Sequence, residues 1–141
     1  MFSRTASRLG LVALCLGLAS AFAVAADAPK AEKPAAVTAA KLAEAYVTDP
    51  AAFDKEYKDK VVEVTGLVEL PKVDDRFNKK SYVTMAGFTK KGAGFPTIVR
   101  CEWAKGMEGL KPNQKVTIRG TVQAHEPTRA AAELQNCTLV K

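Results

Sequence analysis

Residues 61–70 read VVEVTGLVEL. Val62, Val64, Gly66, Val68 and Leu70 fall on one face of this stretch, and Glu63, Thr65, Leu67 and Glu69 fall on the other. A period of two is the mark of a strand that turns one face toward a core. Gly66 in the middle offers no side chain to pack and signals a bulge or a sharp bend. A long, bent first strand is what closing a small barrel requires, so this segment sets the expectation for everything after it.

Downstream, residues 71–80 (PKVDDRFNKK) read as a polar loop, and a second strand runs from Ser81 to Phe88. Residues 89–95 (TKKGAGF) form a Gly-containing turn. A third strand, Thr97 to Trp103, sets Val99, Cys101 and Trp103 on one side and Ile98, Arg100 and Glu102 on the other. Residues 104–114 (AKGMEGLKPNQ) hold two glycines and a proline and read as a loop. The fourth strand, Lys115 to Ala124, buries Val116, Ile118, Gly120 and Val122; a polar turn through Pro127 leads to a fifth, Leu134 to Val140. Five strands with a long connection between the third and fourth fit a mainly β fold, a five-stranded Greek-key barrel of the oligonucleotide/oligosaccharide-binding (OB) type.

Upstream of Lys60 the period changes. Thr38 reads as an N-cap, with Lys41 where a capping-box Glu would sit, and Leu42, Ala45 and Tyr46 make one apolar stripe. Asp49-Pro50 ends that helix and opens a second short one whose Phe53 and Tyr57 share a face. These aromatics read as docking the helices on the barrel. Residues 27–37 (DAPKAEKPAAV) combine Ala, Pro and charge without an apolar face and read as a flexible tether. Residues 1–26 read as a signal peptide. Arg4 and Arg8 form a positive start, Leu9 to Ala19 is apolar throughout, and Ala23-Val24-Ala25-Ala26 offers small residues for cleavage before Asp27. The apolar run is short against the ~20 residues that span a bilayer, so no stable membrane span is expected after cleavage. Leu14 stands before Cys15 where a lipoprotein signal needs a small residue. The chain is therefore expected to be exported, periplasmic or secreted, with residues 38–141 as its one folded domain and a monomer as its form.

Export places the thiols where they oxidise. Cys101 and Cys137 lie in the third and fifth strands, which close an OB barrel side by side. The pair is expected to form a structural disulfide, with buried free thiols or a redox pair as the alternatives. The bond would close a loop of about 36 residues and contribute about 4 kcal/mol on the chain-entropy model, a large share for a domain of about 100 residues. Removal of the leader takes two arginines from the 21 basic residues and none of the 15 acids, leaving a net charge of +4. That balance does not demand a polyanionic partner.

The residues that carry a likeness to known proteins can now be set together. They are Leu42-Ala43 and Tyr46 ahead of Tyr57-Lys58-Asp59-Lys60, then Val62-Glu63-Val64-Thr65-Gly66, Val99-Arg100-Cys101, Gly109-Leu110-Lys111, Val116-Thr117-Ile118-Arg119-Gly120 and Leu134-Gln135-Asn136-Cys137. The chain resembles the small exported bacterial OB-fold proteins of the tRNA_anti-like family over about residues 38–141. The resemblance implies an OB barrel and, by analogy of fold, a capacity to bind nucleic acid; fold does not fix function.

No nucleophile elbow, phosphate loop, dinucleotide fingerprint or zinc-protease helix is present. His125, the only histidine, reads as a solvated turn residue beside Glu126, and Asp74-Asp75 as solvated carboxylates in a Lys-flanked loop. With two Cys and one His after the leader, no zinc site is expected. No cofactor, metal or catalytic residue is assigned, and an enzyme is not expected. An OB barrel binds through its second and third strands and the loops joining strands one to two and four to five. Here that region offers Phe77, Lys79, Lys80, Tyr82, Phe88, Arg100 and Arg119 as candidate ligand-binding residues, interleaved with Glu63, Glu69, Glu102, Asp74 and Asp75, which repel phosphate. The expectation is a non-catalytic interaction module of the cell envelope, whose partner is a protein, peptide or small ligand. The alternative is a binder of single-stranded nucleic acid on the same face.

Overall fold

The computed structural model describes residues 33–140. The expected signal peptide and residues 27–32 of the expected tether lie outside the described residues. The elements run β1 (Ala35–Thr38), α1 (Ala39–Thr48), α2 (Pro50–Tyr57), β2 (Val61–Asp75), β3 (Lys80–Phe88), β4 (Thr97–Glu102), β5 (Lys115–Val122) and β6 (Ala131–Val140). The strands pair in the order β1-β2-β3-β4-β6-β5, and β2 also pairs with β5. That last pairing closes β2 to β6 into a five-stranded barrel of the OB type. The parallel β4–β6 ladder, Ile98↔Ala131 to Cys101↔Leu134, forms its seam, as the sequence led one to expect.

Alternation places the core where the residues dictate. Val62, Val64 and Val68 of β2, Val99 and Cys101 of β4, and Val116, Ile118 and Val122 of β5 are buried. Leu70 departs from the expected inward face and is 52% exposed. The β2–β3 register slips between Val68↔Met85 and Leu70↔Thr84, and this bulge reverses which side chains point inward. The polar segment 71–80 is also shorter than expected as a loop. Residues 71–75 continue β2 as a two-stranded arm against β3, and Pro71 is tolerated because it falls where the register slips again, between Leu70 and Val73.

Two further boundaries move. Ala35, Ala36 and Val37, expected in the tether, form β1 and pair in parallel with Val62, Glu63 and Val64. They cover a stretch of β2 edge that β3 reaches only from Val68 onward. Ala131, Ala132 and Glu133, expected in a turn, begin β6. Alanine carries little strand signal, but its small side chain fits the crowded seam, and Ala132 is fully buried.

The helices form as their caps predict. The Thr38 hydroxyl accepts from the Lys41 N–H at 3.2 Å, and Asp49 Oδ1 accepts from the Ala52 N–H at 3.0 Å with Pro50 at the first helical position. α1 packs across β2, β3, β4 and β6. It does so where two strands carry glycine: a Cβ on Gly66 would stand 2.7 Å from Ala39 Cβ, and one on Gly87 would stand 3.0 Å from Ala43 Cβ. Phe53 and Tyr57 of α2 are buried, with Phe53 edge-on to Tyr46 at 5.1 Å. The connection after β4 holds turns, and Met107 and Leu110 from it join the core.

Candidate functional site

The β2–β3 arm ends in a four-residue turn, Arg76 to Lys79, that is built by side chains. Asp75 Oδ1 accepts from the Phe77 N–H at 3.0 Å, and Asn78 Oδ1 accepts from the Lys80 N–H at 3.0 Å. Asn78 Nδ2 donates to the Tyr82 hydroxyl at 2.9 Å, and the Ser81 hydroxyl donates to Asp74 at 2.6 Å. Asx turns of this kind are why Asp and Asn suit a tip with left-handed backbone, here at Lys79 (φ 58°). The tip presents Phe77 to solvent at 101% exposure. Across from it, the β3–β4 loop presents Phe95 at 85%. Between them lies an open groove of about 700 Å³ floored by Leu70, Val73 and Ile98. Two such rings and an exposed Leu70 on one concave surface are the informative kind of exposure, since isolated surface apolar residues are common and contiguous ones are not.

Of the four cations expected to serve a ligand, Lys80, Arg100 and Arg119 are paired with carboxylates. Arg100 lines the groove, but its guanidinium lies 3.9 Å from the centre of the Tyr82 ring and pairs with Asp75 at 3.1 Å and Glu133 at 3.2 Å. That pairing, and then the Phe77 backbone N–H, hold the Asp75 carboxyl below the usual carboxylate range. Glu133 also takes Arg129 at 2.6 Å, which takes Glu126 at 2.9 Å, so five charges run as one chain from the hairpin tip to the β5–β6 loop. Lys80 pairs with Glu102 at 3.0 Å, which raises the pKa of its ammonium. Arg119 pairs with Glu63 across the β2–β5 ladder, away from the groove. Tyr82 is buried, and Phe88 is half-buried against the core.

Of the seven candidate residues, the groove therefore unites Phe77 and Arg100. Lys79, Lys80, Tyr82, Phe88 and Arg119 do not line it. Phe95, Leu70, Val73 and Ile98 were not anticipated. Phe95 stood at the end of a glycine-rich turn with no pattern around it. Leu70 pointed the wrong way until the bulge was known, and Val73 was hidden in a run of charges.

A second cavity, of about 380 Å³, lies beside the only histidine. His125 is half-buried, not freely solvated. Its ring lies 4.4 Å from that of Tyr46, and its backbone N–H donates to Asp54 Oδ1 at 2.6 Å. The charges that line this cavity, Glu126, Arg129 and Glu133, are already paired with one another, which leaves the groove as the better candidate. Among the described residues, no helix is long and apolar enough to cross a membrane, and no cluster of three or more metal-ligating side chains occurs. Cys101 and Cys137 are buried free thiols.

Comparison with known proteins adds the following. A family model described as tRNA_anti-like matches residues 9–138. No curated protein matches the sequence. One solved structure of similar fold is a protein of Klebsiella pneumoniae subsp. pneumoniae, named as a candidate nucleic acid-binding lipoprotein. It is 18% identical with a TM-score of 0.53, over 74% of this chain and 92% of that one. At that identity the likeness shows the shared fold alone.

Proposed function

The chain belongs to the tRNA_anti-like family, and from that membership and the groove between Phe77 and Phe95 we propose that it is a non-catalytic, exported OB-type interaction module. Its ligand is an extended segment of a protein or peptide of the cell envelope, held by apolar and aromatic side chains. The observation that carries this reading is the pairing of an apolar groove with a lining that is not cationic. Three carboxylates (Glu69, Asp74, Asp75) face two guanidinium groups (Arg76, Arg100), and Arg100 is already shared between two acids. A polyanion needs free cations along its path, whereas an apolar segment needs only surface to cover. Burying each ring is worth about 1.5–3 kcal/mol.

A second reading, a binder of single-stranded nucleic acid, is favoured by one observation. Exposed aromatic rings on an OB face can stack bases, and the Klebsiella protein of similar fold is named for nucleic-acid binding.

The test uses the full chain and its Phe77→Ser/Phe95→Ser variant as paired baits on envelope extract, and the same two proteins titrated with a labelled oligothymidine at two salt concentrations. The peptide reading expects partners retained by the parent and lost by the variant, with affinity down roughly ten- to a hundred-fold per ring, and no oligonucleotide binding. Oligonucleotide binding that falls steeply with salt and is lost in the variant supports the second reading and overturns the first. Equal capture by both proteins overturns the groove.

A further inference from the structure

Cys137 reaches the barrel interior through an irregularity. Strict alternation from the buried Leu134 would point Gln135 out, Asn136 in and Cys137 out. The β5–β6 register slips between Thr121↔Gln135 and Arg119↔Thr138, with Asn136 in left-handed backbone (φ 51°). That bulge exposes Asn136 and turns Cys137 inward. Cys101 meets it there. Cys101 closes the parallel seam as the register partner of Leu134 and shares the buried core with Cys137, the neighbour that does most to raise the pKa of its thiol. The Cys137 thiol also donates to the Leu134 carbonyl at 3.4 Å. The facing position on β5 is Gly120, where a Cβ would stand 2.8 Å from Cys137 Sγ. A bulge, a left-handed asparagine and a glycine thus combine to turn the Cys137 sulfur into the core that holds Cys101.

We propose that Cys101 and Cys137 form an internal disulfide, and that the bond is made while the barrel is still open. The oxidant is an external disulfide. One chain thiolate attacks it, giving a mixed disulfide and releasing one thiol. The second chain thiolate then attacks the chain sulfur of that mixed disulfide and releases the other thiol. Two cysteine hydrogens leave, one S–S bond forms in the chain, and one external S–S bond is reduced to two thiols. Each step needs a thiolate with access to the oxidant. The closed barrel supplies neither. Cys101 is 0% and Cys137 3% exposed, and hydrogen bonding to Cys137, then burial, hold the Cys101 thiol well above its ordinary pKa. A barrel that closes reduced is therefore trapped as the dithiol until it opens.

The experiment uses the full chain carrying Cys15→Ser, so that two cysteines remain. One sample is reduced in denaturant and refolded into a mixture of oxidised and reduced glutathione. The other is refolded reduced and then given the same mixture. Both are denatured, alkylated and weighed, and digests locate any linked peptides. The first is expected to be lighter by two hydrogens, unalkylated, with Cys101 joined to Cys137. The second is expected to keep two thiols that alkylate only after denaturation. The oxidised form should melt about 10–20 °C above the reduced one, and a Cys101→Ala/Cys137→Ala variant should show no difference between the two protocols. Two free thiols or glutathione adducts in the first sample overturn the bond. Prompt oxidation of the second overturns the order of events.

Discussion

Gly87→Ala is predicted to be the most damaging single-methyl addition in the barrel. Gly87 sits in a bulge of β3: two residues, Ala86 and Gly87, oppose the single Ile98 between the pairs Met85↔Val99 and Phe88↔Thr97. A Cβ there would stand 1.9 Å from the Thr97 carbonyl oxygen and 3.0 Å from Ala43 Cβ on α1. An ordinary carbon–oxygen contact is about 3.3 Å, so β3 must retreat from β4 by about 1.4 Å, and the buried face of α1 stands behind it. The obstacle is backbone and cannot rotate aside. Overpacking costs about 1–3 kcal/mol, and one or two ladder hydrogen bonds at the strand end add about 1 kcal/mol each. Together these come to about 2–5 kcal/mol against a total of roughly 5–15 kcal/mol.

The comparison needs two other glycines. Gly94 has open space around it, so Gly94→Ala should melt within about 2 °C of the parent. At Gly66 the new methyl clashes with Ala39 Cβ at 2.7 Å and meets Met85 at ordinary contact distance, 3.5 and 3.6 Å. The first turn of α1 must retreat by about 0.8 Å to restore carbon–carbon contact, for about 1–2 kcal/mol, and adding Ala39→Gly should relieve it. Thermal melts at fixed cysteine redox state should show Gly87→Ala lower by about 8 °C or more, with Gly66→Ala between it and Gly94→Ala. A Gly87→Ala protein that melts with the parent would refute the close approach of β3 and β4 from which the rest of the core packing is argued.

Two further outcomes follow from tyrosines. The Tyr46 hydroxyl has the Glu126 and Arg129 carbonyls at 2.9 and 3.2 Å and accepts from the Glu126 N–H at 3.2 Å. Tyr46→Phe should cost about 1–2 kcal/mol and speed hydrogen exchange at the Glu126 amide; unchanged exchange there would show that the hydroxyl does not pin the β5–β6 loop. Burial, and then the Glu56 carboxylate, push the Tyr57 hydroxyl from 10.0 up to about 12. The sign is destabilising in alkali. Below pH 10 both states keep the proton, and between pH 10 and 12 only the unfolded chain releases it, so stability falls across that window by at most about 3 kcal/mol. Urea midpoints measured from pH 9 to 12 should fall less steeply in Tyr57→Phe, and an identical slope would remove Tyr57 from the account.

The parts of the fold legible in the sequence are those where one local pattern suffices. Alternation in residues 62–68, 97–101 and 116–122 placed three strands and their buried faces, and Thr38 and Asp49-Pro50 placed two helix starts. What escaped depends on a partner. Ala131 to Glu133 carry no strand signal until β4 lies beside them, and β1 is a strand only because β2 has a bare edge there. Leu70 and Cys137 both face opposite to strict alternation, because a bulge adds one residue and reverses every side chain beyond it. The candidate site suffered most for the same reason. Lys80 and Arg119 look like free cations along the chain. Only the register shows that Glu102 and Glu63 lie within reach of them.

That fate of the cations bears on what the OB face is for. A surface phenylalanine that is merely tolerated needs no support, and a mobile tip would let it fold back over Leu70 and Val73. Phe77 is instead carried on a turn fixed by the hydrogen bonds that Asp75 accepts, Asn78 accepts and donates, and Ser81 donates. The turn is anchored in turn by Arg100, stacked on Tyr82 and tied to the seam through Glu133. Ordering a loop on binding costs free energy that a preformed one does not incur. On the proposed reading, Arg100 serves ligand binding by holding Phe77 outward, and a phosphate could claim its guanidinium only by breaking the tie to Asp75 and Glu133. The same residue cannot serve both as the anchor of the aromatic tip and as a free phosphate clamp. The ion pairs of Arg100 favour the first.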